Sequence, residues 1–150
     1  MGLINRTGCV VAVTSLALLI SASANAAPGD TVYAGVTAEG NTKVKLVVAS
    51  PGQATTFKIA NTTAECKAGS LDTDPATFRR FDTSDPGEFS DKRKASTKDG
   101  QYVLKDTFLL AGTINADQAS WSGTYQKTTK VLKNGRRFDT CVLSTTWDVS

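Results

Sequence analysis

Histidine is absent from this 150-residue chain, and that absence excludes more chemistry than any motif supplies. Imidazole-based triads, Cys-His dyads and histidine metal sites all need a residue the chain does not have. No serine is followed three residues later by lysine, which removes the simplest Ser-Lys nucleophile. No glycine-rich loop leads into a helix pattern, so no phosphate cradle is built that way. Apolar residues never recur at helical spacing over three turns, and helix content is expected to be very low. Long apolar runs are missing too. The longest, Cys9 to Ile20, falls short of the ~18–20 residues that cross a bilayer.

That run has a different meaning. Arg6 precedes it, and Ser21 to Ala26 succeeds it, ending in the small-x-small triplet Ala24-Asn25-Ala26. A short basic region, an apolar stretch and a small-residue stop form a secretory signal peptide, predicted over residues 1–26. Residues 27–150 are then one secreted domain, soluble and without a membrane span. Removing Arg6 from the 17 basic residues leaves an excess of two over the 14 acids. So small an excess argues against a dedicated nucleic-acid binder.

Two cysteines remain after processing, Cys66 and Cys141, and in an oxidising compartment they are expected to pair. The bridge closes a loop of about 75 residues, worth roughly 4 kcal/mol by chain entropy. Its expected role is structural.

Period-two alternation dominates the mature sequence. Thr31–Thr37 reads as a strand, and Ala38 to Asn41 supplies a turn. In Thr42–Ala49, Val44, Leu46 and Val48 share one face, and Ser50-Pro51-Gly52 turns the chain. Gln53–Ala60 places Thr55, Phe57 and Ile59 together, and 61–68 forms a fourth strand with Cys66 inward beside Ala64 and Ala68. The pattern loosens from Gly69 to Gly100, where short strands near 77–82 and 87–95 are expected between polar loops.

Regularity returns in Gln101–Asn115, with Tyr102, Leu104, Phe108, Leu110 and Ile114 on one face. Ala119–Lys127 groups Ala119, Trp121, Gly123 and Tyr125, and Phe138–Val149 groups Cys141, Leu143, Trp147 and Val149. About eight or nine strands with tight links predict an antiparallel meander closing into a barrel-like fold, with a β-sandwich as the alternative. Gly35, Gly112 and Gly123, inside strands, suit the sharp bends of a small barrel.

Tyr33-x-Gly35-x-Thr37, Val44-x-Leu46-x-Val48, Cys66-x-x-Gly69, Ser122-Gly123-Thr124-Tyr125, Cys141 and Trp147 come in an order that resembles small secreted bacterial all-β proteins. The resemblance implies a fold type and an extracellular location. It carries over no catalytic residue and no cofactor.

Four features are candidates for function, each with a plainer explanation. Lys127, Lys130, Lys133, Arg136 and Arg137 gather five cations around the exposed turn Asn134-Gly135 and would suit an anionic cell-envelope polymer or a protein partner. A solvated hairpin that discourages edge pairing is the plainer account. Lys92, Arg93 and Lys94 form a second, weaker cluster. Tyr33, Trp121, Tyr125 and Trp147 would offer an aromatic ligand surface or line a cavity, although alternating aromatics usually build a core.

Glu65, Asp106, Asp139 and Asp148 are the strand carboxylates available for acid–base work, though parity leaves the first three outward or indeterminate. Asp72, Asp74, Asp82 and Asp85 offer oxygen ligands to calcium without the full loop spacing, and Asp-Pro turn chemistry explains them more simply. Asn61-Thr62-Thr63 matches a glycosylation acceptor. The reading is a non-catalytic extracellular binding or structural domain. A barrel carrying an apolar ligand, and an inhibitor or effector acting on a protein, are the alternatives.

Overall fold

Alternating sequence becomes an all-antiparallel sheet of ten strands in the computed structural model, which describes residues 29–39, 42–50, 52–81, 87–117 and 119–150. The predicted signal peptide, Asp82 and Asp85 lie outside those residues. The strands are β1 Thr31–Thr37, β2 Lys43–Ala49, β3 Gln53–Ile59, β4 Thr62–Cys66, β5 Gly69–Thr73, β6 Ala76–Arg79, β7 Glu88–Asp99, β8 Tyr102–Ile114, β9 Trp121–Lys133 and β10 Arg136–Val149. Eight of them run in the order β6-β3-β2-β1-β10-β9-β8-β7 and curl into a nearly closed barrel. The barrel-like fold and the Cys66–Cys141 disulfide are therefore as expected, rather than the sandwich.

The β4–β5 hairpin leaves the consecutive path. It lies against the middle of β10, where Val142 faces Glu65, while β1 pairs the end of β10 from Trp147 to Val149. One strand edge is thus shared by two partners. The disulfide joins β4 to β10 beside the Val142–Glu65 pair, with Cα atoms 4.0 Å apart.

Closure onto β7, from β6 and from the turn before β3, uses few hydrogen bonds among the described residues. Gly87 N–H donates to Gly52 O at 3.2 Å, and the Arg93 guanidinium donates to the carbonyl of Arg79. Arg93 also lies 5.3 Å from the Phe78 ring centroid, so one side chain spans the seam by a hydrogen bond and by its charge over a π face.

The core sits on the inward faces of both walls. Trp121, Trp147, Tyr125, Phe57 and Leu46 are fully buried, joined by Phe78, Phe89, Ile59 and Leu110. Phe89, Gly112, Gly123 and Trp147 occupy one row across β7, β8, β9 and β10. Both rings fold over the two glycines and stack, with centroids 5.9 Å apart and planes at 27°. A Cβ on Gly112 would lie 2.6 Å from Phe89 Cε1 and from Trp147 Cη2. These glycines therefore clear space for rings, where the sequence suggests bending. Gly35 is tight for another reason: its Cβ would strike the Asp148 carbonyl on β10.

Several sequence expectations need correction. Ala54 is buried in place of Thr55, because a bulge between Val47 and Val48 leaves Thr55 unpaired and reverses parity there. Ala68 is exposed in the β4–β5 turn, and Ala119 is exposed ahead of β9. The loosened region contains a whole strand, β5, and β7 runs on to Asp99. Its inward positions there carry Asp91, Arg93, Ala95 and Thr97 rather than aliphatics, which hid the alternation.

Candidate functional site

Strands β7 to β10 continue past the aromatic core as a four-stranded extension ending in two hairpin tips. Asn134 and Gly135 form one tip with φ of 50° and 78°, the left-handed pair that a two-residue hairpin needs. The tips are tied together by Asn134 N–H, which donates to Gln101 O at 3.2 Å. The expected Lys127–Arg137 connection is therefore almost all strand, because β9 runs to Lys133.

Period two then sorts the cations to opposite faces. Lys127 points inward and is only 9% exposed, a correction to its place on an exposed hairpin. Arg93 is inward as well, paired through Nε with Asp91 Oδ2 at 2.5 Å. Lys133 lies on the same side, with its ammonium 5.7 Å from the Tyr102 ring and 5.9 Å from that of Phe138.

The outward face collects the others. Four rows cross β7 to β10: Lys92-Leu109-Gln126-Ser144, Lys94-Thr107-Thr128-Val142, Ser96-Lys105-Lys130-Thr140 and Lys98-Val103-Leu132-Arg137. Lys92, Lys94, Lys98, Lys105, Lys130 and Arg137 are all exposed, and no position in these rows is acidic. Strand geometry makes the patch about 20 Å long and about 14 Å wide. Two sequence clusters that looked separate are joined here by strand pairing. Lys98 and Lys105, each followed by an acid (Asp99 and Asp106), belong to no cluster in the sequence, and only register brings them in.

Arg136 remains exposed at the tip. Among the described residues Phe138 is the most exposed large hydrophobic at 58%, displaced by a bulge between Arg137 and Asp139 and set 6.0 Å from the Tyr102 ring.

The predicted aromatic surface is not a surface. Trp121, Tyr125 and Trp147 are fully enclosed, and Tyr33 packs edge-on to Trp121 at 6.5 Å. Burial, with the nearby Asp106 charge, pushes the Tyr125 phenol well above its ordinary range.

The strand carboxylates separate. Glu65 and Asp148 are exposed, whereas Asp106 and Asp139 turn inward. Asp139 accepts backbone N–H bonds from Thr140 at 2.6 Å, Ala68 at 3.1 Å and Lys67 at 3.3 Å. The Thr140 bond is the strongest reason its carboxyl is held below the usual value, with the other two adding to it and burial opposing. It ties the β4–β5 turn to β10. Asp106 accepts the Thr129 hydroxyl at 2.5 Å and faces Lys127 Nζ at 3.7 Å, at one side of a cavity of about 390 Å³. Among the calcium candidates, Asp72 accepts the Thr63 hydroxyl at 2.8 Å. Among the described residues, no three acids, cysteines or histidines gather to hold a metal.

Comparison with protein-family models, with curated proteins and with solved structures finds no match for this chain.

Proposed function

We propose that this chain is a non-catalytic extracellular binding domain that holds an anionic cell-envelope polymer against the outer face of β7–β10. The observation that carries the reading is the set of six exposed cations without an acid among them. Edge protection accounts for Lys92, Lys94 and Lys98, which lie on the seam strand β7. It does not account for Lys105 and Lys130, which sit directly opposite each other on interior strands, as Lys45 and Lys58 do on β2 and β3, but here with four further exposed cations on the same face. Like charges so paired destabilise a sheet. A polyanion crossing the strands relieves that repulsion.

The disulfide supports an oxidising compartment, as does the resemblance to small secreted bacterial β proteins. The centre of the barrel is filled by its own rings, which disfavours a carrier whose apolar ligand sits there. A protein partner at the hairpin tip is the second reading, favoured by the exposure of Phe138.

Heparin–agarose serves as the polyanion probe. Each exposed ion contact contributes up to about 1 kcal/mol, so Lys105→Glu, Lys130→Glu and Arg137→Glu together weaken binding about 100-fold. Reversing Lys43, Lys45 and Lys58 changes net charge equally and leaves retention nearly intact. Equal losses in the two triple variants, or none in the first, would reject the face.

A further inference from the structure

The inward Lys127 presents a separate chemical problem. Its ammonium carries three donors, yet its one carboxylate partner among the described residues is Asp106, at 3.7 Å. That is an ion-pair distance and longer than a hydrogen bond. Asp106 Oδ1, the nearer oxygen, already receives the Thr129 hydroxyl at 2.5 Å. The ammonium also lies over the Phe108 ring, 5.3 Å from its centroid. A buried ammonium without a close acceptor is costly, and a hydrophobic residue of the same volume would serve stability better.

Unfilled space adjoins it. The cavity of about 390 Å³ opens beside Lys127, Asp106 and Thr129, with Phe78, Phe108 and Leu104 among its walls. A single water needs only about 10–15 Å³ of such space, so the cavity is far larger than hydration of the ammonium requires. It also falls in the range of small-molecule sites, at the low end. Lys127 and Arg93 are the inward cations of its lining and Asp72, Asp74 and Asp106 its acids, while Phe78, Phe108 and Leu104 supply aromatic and aliphatic surface. Arg93 is already paired with Asp91, which leaves Lys127 as the cation without a close partner. Ala95 and Thr97, small and exposed, border its opening, and the small, buried Thr129 lies deeper, where larger side chains would fill the space.

We infer that this cavity binds a small organic acid, its anionic group on the Lys127 ammonium and its short apolar or aromatic body against Phe78 and Phe108. The Asp106–Thr129 bond fixes the carboxylate and leaves the ammonium free to turn to the ligand. The site is chemically distinct from the outer face. It takes one small molecule from inside the barrel wall, and the face takes a polymer from outside.

Two fluorescent probes test this on the folded chain. Anilinonaphthalene sulfonate carries a sulfonate on an aromatic body, and N-phenyl-1-naphthylamine has the same body without the charge. The sulfonate is expected to saturate at one molecule per chain and to bind at least tenfold more tightly than the neutral amine. Lys127→Met alone leaves Asp106 buried without its partner and risks the fold, so Lys127→Met is combined with Asp106→Asn. This double variant removes both charges at nearly constant volume and is expected to keep the unfolding midpoint within a few degrees. In it, sulfonate binding falls at least tenfold while amine binding changes less than twofold. Equal affinity of the two probes for the parent chain would overturn the inference. So would unchanged sulfonate affinity in the double variant, or no saturable sulfonate site at all.

Discussion

Single residues decide how closely the two barrel walls approach. Trp147 lies over Gly123, and a Cβ on Gly123 would come 2.5 Å from Trp147 Cζ2 and closer still to the backbone carbonyl of Ala111. A side chain can rotate away, but a paired strand cannot. Gly123→Ala is therefore expected to destabilise the fold by about 1–3 kcal/mol, the cost of overpacking a filled core. Urea unfolding measures it, and a change within about 0.5 kcal/mol would mean that the glycine is not there to make room. The sequence shows glycines at 112 and 123 but not why they stand there. The reason depends on a row across four strands, and residues far apart in the chain supply the rings.

Strands were more legible than their junctions. β1, β2 and β3 emerge from alternation almost to the residue, because half-buried antiparallel strands announce themselves by parity. Parity fails at Thr55 and Phe138, where a bulge inserts one residue and no local composition marks it. It fails again in β7, where beyond Phe89 the inward positions Asp91, Arg93 and Thr97 are polar and leave only Ala95 apolar.

The joint between β4–β5 and β10 combines the disulfide with the Asp139 carboxylate. A carboxyl held below its ordinary value of 3.8 in the folded chain contributes stability above that value and loses it as pH falls through the lower folded one. Asp139→Asn is thus expected to lower the urea midpoint near neutral pH, with the difference from the parent closing as pH falls below 3.8. A difference independent of pH would assign the effect to packing instead of charge.

At the scale of the whole molecule, topology assembles what the chain keeps apart. The cations of β7 and those near the β9–β10 turn are separated by several tens of residues in sequence, and three strand pairings make them neighbours. The basic character of the chain was legible from composition. Its division into an outer face and an inner cavity was not, because adjacent lysines carry no mark of which side of a sheet they will take. Lys127 and Lys130, three positions apart, end on opposite sides of the wall.

The most direct test of one continuous binding face is a backbone NMR titration with a heparin oligosaccharide. Perturbed amides are expected in the four rows from Lys92–Ser144 to Lys98–Arg137, moving together along one binding curve. Perturbations concentrated on β1–β3, or separate curves for β7 and for β9–β10, would contradict a single face.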